Sequence, residues 1–208
     1  MGNGQSPPGI DLDTRGIIDD GTLGLNESPP PGPIGLDAKN GSAKGATASI
    51  SDRILSYARR KRGDHVGDGQ CYAFADGALT HAGARSARDY GDITPNADYV
   101  WGTAVTLAEL QPGDVIQFRD YSYERQIVTE RSDETVTRDE AGDRPHHTAV
   151  VQSVDGDGAV TVWEQNAPDG SPVTRAQLFF TSGTFTHGNE RTTIRVHGTF
   201  WFYRPVAR

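Results

Sequence analysis

Cysteine is almost absent: the 208 residues hold only Cys71. That excludes an internal disulfide framework and any zinc site built on several thiolates, and it leaves the compartment open. Apolar residues are also few, at 35%, and no run reaches the roughly 18 apolar residues of a membrane-spanning helix. Basic charge is in deficit. The 20 Lys and Arg face 28 Asp and Glu, for a formal charge of −8 and a pI near 5.2. Such a balance argues against nucleic-acid binding through a broad basic surface. The one basic cluster, Arg59-Arg60-Lys61-Arg62, closes a predicted helix, where cations complement the helix dipole. No charged-then-apolar leader opens the chain, so the ordinary secretory route is not expected. Met1-Gly2-Asn3-Gly4-Gln5-Ser6 fits the short myristoylation pattern, which arises often by chance.

What is present first is a polar, turn-rich start. Residues 1–48 are rich in Gly, Pro, Asn, Asp and Ser, with Pro29-Pro30-Pro31 as rigid punctuation and no sustained apolar period. Such a segment cannot bury enough surface to offset its ordering entropy and reads as a disordered tail or linker. Ile17-Ile18 and Leu23-Gly24-Leu25 are short apolar islands within it, and Asp11, Asp13, Asp19 and Asp20 lack the spacing of a calcium loop.

Order is expected from Ser49, where Ser49-x-x-Asp52 resembles a capping box and Ile50, Ile54, Leu55 and Ala58 share one face. A glycine-rich loop to Gln70 then leads into a second helix opened by Cys71. From there Phe74, Ala75, Ala78, Leu79 and Ala82 follow along one apolar face. At a helix N-terminus, unpaired N–H groups and the dipole favour a thiolate, the form of sulfur that attacks carbonyl carbon. The same position also suits a small buried residue of the apolar stripe.

Pro112-Gly113-Asp114 is a turn feeding an alternating strand to Phe118, and the charged stretch 119–144 reads as a hairpin projecting from the sheet. Strands are predicted at 147–154, 160–164 and 174–180, the first two joined by Asp155-Gly156-Asp157-Gly158, with a long aromatic strand at 193–203. Helices first and an antiparallel sheet after them define an α+β domain over residues 49–208.

A nucleophilic thiol needs a base and a third group to orient that base. Of six histidines, His65 lies on the loop before Cys71, and His81 lies about 15 Å from Cys71 along the helix at 1.5 Å per residue. His187 and His197 fall in a turn and a strand where partnered or surface roles fit better. The pair His146-His147 opens a core strand, Thr148-Ala149-Val150-Val151, and alternation places His147 on the face of Ala149 and Val151. The following strand ends in Glu164-Gln165-Asn166, which an antiparallel return brings back beside His147. Either Glu164 or Asn166 could orient the imidazole.

Gly67-x-Gly69-Gln70-Cys71 at a helix start, Pro112-Gly113-Asp114-Val115-Ile116 at the first strand, His147-Thr148-Ala149-Val150-Val151 at the second and Glu164-x-Asn166 at the end of the third resemble, as an ordered set, the CHAP domains. These are cysteine, histidine-dependent amidohydrolases/peptidases of the papain-like, NlpC-type superfamily, with N-terminal helices packed on an antiparallel sheet. The resemblance implies Cys71 as nucleophile, His147 as general base and acid, Glu164 as its orienting partner, Asn166 as a fourth site member, and the Gln70–Cys71 backbone as part of the oxyanion hole. It implies cleavage of an amide in peptidoglycan through a thioester, with a protein protease, an acyltransferase or a non-catalytic binding module on the same fold as alternatives. A bacterial or phage protein, delivered to the cell envelope without an ordinary signal peptide, would fit that substrate. Some members bind calcium before the cysteine. Asp64 and Asp68 would be its remnants here, thin for an ion that takes about six to eight oxygens. No other cofactor is expected.

Overall fold

The computed structural model describes residues 48–208. The expected tail over residues 1–48, its apolar islands and aspartates, and the Gly2 pattern lie outside the described residues, Ala48 apart.

Two α-helices come first, α1 (Ile50–Lys61) and α2 (Cys71–His81). Ser49 and Asp52 cap α1 reciprocally: Asp52 N–H donates to Ser49 Oγ at 3.1 Å and Ser49 N–H donates to Asp52 Oδ2 at 3.0 Å. Arg59, Arg60 and Lys61 occupy its last turn, where the dipole is negative. Arg53 Nε donates to Ala82 O at 2.8 Å, tying α1 to the end of α2.

The strands are β1 (Thr103–Val105), β2 (Val115–Glu130), β3 (Thr135–Gly156), β4 (Ala159–Glu164), β5 (Thr174–Phe179), β6 (Gly183–His187) and β7 (Glu190–Arg204). They form one antiparallel sheet in the order β1-β7-β2-β3-β4-β5, with β6 pairing on β7. This corrects the α+β expectation. Strand makes up 47% of the described residues against 18% helix, so the fold is dominated by its sheet. The reason lies in the charged stretch 119–144. It forms the expected hairpin, but its arms are continuous with β2 and β3, paired in unbroken register from Val115↔Val150 to Glu130↔Thr135, and β7 pairs β2 out to Thr129↔Glu190.

Side chains on the two faces build two cores. On one face Val115, Val150, Trp163 and Tyr203 meet Ile54, Ala58, Phe74, Ala75, Ala78 and Leu79 of the helices. On the other, Ile116, Phe118, Ala149, Val151, Val162, Phe200 and Phe202 surround Phe180, which follows β5. The Phe180 ring lies 6.0 Å from that of Phe118 and 5.2 Å from that of Phe202. Since β5 is three strands from β2 in the sheet, such contact requires the sheet to curl on itself. The Tyr121 hydroxyl closes the curl, donating to Phe179 O at 2.7 Å and accepting from Phe179 N–H at 3.0 Å. At the bend, β2 and β7 slip register between Arg119 and Ser122. Gly198 adopts φ +89° there, and a Cβ on it would stand 2.2 Å from Asp120 O.

Candidate active site

Cys71 is the first residue of α2, after an extended Gln70 that makes no side-chain cap. The helix N-terminus is therefore open, and the backbone N–H groups of Tyr72 and Thr148 point at the sulfur. The loop before it turns on Gly67 (φ +60°) and Gly69 (φ +85°), the first so close to α2 that a Cβ would lie 2.8 Å from Ala73 Cβ. That loop is fastened from outside. Gln165, fully buried, accepts from Val66 N–H at 2.6 Å and donates to Val66 O at 3.1 Å and to Gln70 O at 2.9 Å. One amide thus joins the Cys71 loop to the end of β4.

The neighbouring residue on β4, Glu164, is 0% exposed and His147 on β3 is 5% exposed. His147 Nε2 and Glu164 Oε2 lie 3.1 Å apart, and the thiol of Cys71 hydrogen-bonds the same imidazole. With Nε2 taken by Glu164, Nδ1 is the ring nitrogen left for sulfur. A fourth residue completes the chain. Arg144 donates from Nε to Glu164 Oε2 at 2.8 Å and from Nη2 to Oε1, a two-pronged pair at 14% and 0% side-chain exposure. Oε2 is shared between imidazole and guanidinium.

These contacts set the charges. Burial pushes the Cys71 thiol up, but the His147 hydrogen bond and charge, with the Thr148 and Tyr72 amides, outweigh it and hold the thiol below its ordinary value. Burial pushes His147 down, and its bonds to Cys71 and Glu164, with their charges, raise it on balance. For Glu164 burial pushes up, and His147 and Arg144 together bring it below the ordinary carboxylate range. All three directions favour a thiolate–imidazolium pair beside an ionised carboxylate.

The remaining expected residues have other partners. Asn166, in left-handed backbone at φ 65°, donates to Gln70 Oε1 at 3.1 Å and accepts from Gly170 N–H at 2.6 Å. Glu164, not Asn166, is the group on His147. The Gln70 N–H is spent on Asp68 Oδ1 at 3.0 Å, so of the two expected oxyanion donors only Cys71 offers its backbone. The Gln70 side chain, its Oε1 held by Asn166, keeps Nε2 free to donate. Asp64 pairs with Lys61 at 3.3 Å. Among the described residues no group of three His, Cys, Asp or Glu converges as metal ligands, and Asp68 Oδ1 is held by the Gln70 N–H. His146 faces away from the thiol, its Nε2 2.8 Å from Ala97 O.

Clefts flank Cys71 on both sides. One, of about 460 Å³, is walled by Tyr72, Ile93, Pro95, Tyr99 and His146. The other, of about 560 Å³, lies between residues 142–147 and residues 166–169.

Arg144 and Gln165 escape sequence reasoning, although each adjoins an expected residue or motif. Arg144 ends a stretch read as a projecting hairpin, and Gln165 is the variable position of Glu164-x-Asn166. A buried carboxylate demanding a counter-ion was the signal available for the first; none marked the second.

No curated protein and no solved structure matches the chain. The family description "AIM3/BBC1 Cysteine proteinase-fold domain" matches residues 26–208, which include Cys71, His147 and Glu164. A thiol at a helix N-terminus, hydrogen-bonded to a histidine on the adjoining sheet, agrees with that fold, and the chain belongs to the AIM3/BBC1 cysteine proteinase-fold domain family.

Proposed function

We propose that this domain is a cysteine-dependent amide hydrolase acting on peptides. The observation that carries the reading is the Cys71–His147–Glu164 relay, its imidazole and carboxylate buried and its half-buried sulfur at an open helix N-terminus between two clefts. The Cys71 thiolate attacks the amide carbonyl carbon, forming the C–S bond as the carbonyl electrons move to oxygen. In this reading the Cys71 N–H and Gln70 Nε2 donate to that oxyanion. As the C–N bond breaks, His147 passes its proton to the leaving amine. The neutral imidazole then takes a proton from water, whose oxygen attacks the thioester and releases the acid and the thiolate. Glu164 holds the ring throughout.

The ordered motifs shared with CHAP domains support a second reading of the substrate, an amide of peptidoglycan. The two are separated by offering a denatured protein digest and purified muropeptides to wild type and to Cys71→Ala, with products read by mass spectrometry. Cleavage by wild type alone is expected, and the mass lost identifies the bond. Iodoacetamide should alkylate Cys71 well below pH 8. Equal cleavage by Cys71→Ala would overturn the thiol mechanism, and a thiol inert until unfolding in a protein that cleaves neither substrate would leave a non-catalytic module.

A further inference from the structure

Among the described residues the edge of β3 beside the thiol lacks a partner. β3 pairs β2 along residues 135–150, but β4 accompanies it only from Val150 to Gly156. On the outer side, residues 135–146 have no strand partner among the described residues. In an antiparallel ladder alternate residues turn both N–H and C=O to opposite sides. Val151 turns both toward the β2 side, donating to Asp114 O at 2.8 Å and accepting from Gly113 N–H at 2.9 Å. Thr148, of the other parity, points its N–H outward to the sulfur of Cys71. Because the β2–β3 register is unbroken, the main-chain groups of His146, Arg144, Gly142 and Glu140 face the same open side. Among the described residues they form a ladder of unpaired rungs leading away from the thiol.

The cleft of about 560 Å³ runs along this edge, with residues 142–147 on one wall, residues 166–169 on the other, and Gln70 and Cys71 at its end. Its lips carry Asp143 and Asp169, both exposed and both without an ion-pair partner among the described residues.

Resting on the hydrolase reading, we propose that the substrate is an extended polypeptide that binds as an added strand on the β3 edge. Its main chain pairs with His146, Arg144 and Gly142, and a Lys or Arg side chain lies between Asp143 and Asp169. Backbone pairing supplies affinity that any sequence can provide, and pockets for alternate side chains supply selectivity. Such an occupant must have free backbone groups of its own, so it is an unfolded segment or a loop, not a helix or an internal strand.

The test begins with heat-denatured casein, digested by the wild-type chain. A cleaved peptide is then resynthesised with one N-methyl amide at each position in turn. Turnover should fall about tenfold or more at every second position on one side of the cut, where an N–H would be lost to the ladder, and hold at the positions between. Asp143→Asn/Asp169→Asn should lower the ratio of kcat/KM for a Lys-bearing peptide over its norleucine analogue about tenfold. Cleavage with no alternating pattern overturns strand addition and leaves the hydrolase standing, as does a thiol alkylated rapidly at low pH in a protein that cuts muropeptides but no polypeptide. An unchanged ratio overturns the part given to the carboxylates. A thiol inert in the folded chain removes the hydrolase reading and this inference together.

Discussion

Glu164→Gln is the substitution that most directly probes the site. It keeps the shape of the side chain and removes the carboxylate charge on His147, whose Nε2 is 3.1 Å from Glu164 Oε2. An opposite charge at such range favours the charged imidazole by about 1–3 pK units. Losing it moves the balance from thiolate–imidazolium toward neutral thiol and imidazole, so iodoacetamide alkylation at pH 7 should fall about tenfold or more. A stability cost comes with it, because Arg144 is left in a pocket built for an ion pair, at 14% side-chain exposure. Breaking a buried pair in this way costs about 3–5 kcal/mol, a large part of the roughly 5–15 kcal/mol that holds a domain folded. The double variant Arg144→Met/Glu164→Gln separates the two effects. With both charges gone, most of the stability should return in urea titrations while alkylation stays slow. Arg144→Met alone leaves the Glu164 charge unshielded and should strengthen the imidazolium, so its folded fraction should alkylate at pH 7 no more slowly than wild type. A folded Glu164→Gln protein alkylated at the wild-type rate would refute the electrostatic reasoning.

Gln165→Leu should leave the Val66 and Gln70 backbone groups without their buried partner at about 1–3 kcal/mol each. The loop loosened, alkylation of Cys71 at pH 7 should slow while the sheet persists by circular dichroism. Gly198→Ala places a Cβ 2.2 Å from Asp120 O in left-handed backbone, and denaturant titration should show a loss of about 1–3 kcal/mol or more. Glu164, held below its ordinary 4.5, adds stability that is complete above that pH and is lost as pH falls through the folded value. His147, raised above its ordinary 6.5, adds stability that is complete below that pH and is lost as pH rises through the folded value. Thermal scans should therefore show Tm falling on acidification below about pH 4.5, with the Glu164 part absent from Arg144→Met/Glu164→Gln.

Much of the site is legible in the chain itself, because its parts obey local rules. A capping box starts α1 at Ser49, an apolar period makes Cys71 the head of a core-facing helix, and strand alternation separates His147 from His146. Those rules act over a few residues, so sequence alone determined which side chains were chemically able to meet. The balance of the fold was not local. Residues 119–144 read as a hairpin and form one, but what the sequence does not show is that its arms run unbroken into β2 and β3 and that β7 pairs the far side of β2. Hydrogen bonding to distant segments leaves no periodic trace in a charged stretch. The choice between Glu164 and Asn166 was likewise settled by tertiary structure. Burial of Glu164 required a counter-charge, which β3 provides in Arg144, while the backbone turn at Asn166 carries its amide to Gln70. Residue types and spacing singled out Cys71 and His147; only the curled sheet and its long β2–β3 pairing decided that Glu164 rather than Asn166 meets the imidazole, what neutralises that carboxylate, and which strand edge, among the described residues, lies open beside the sulfur.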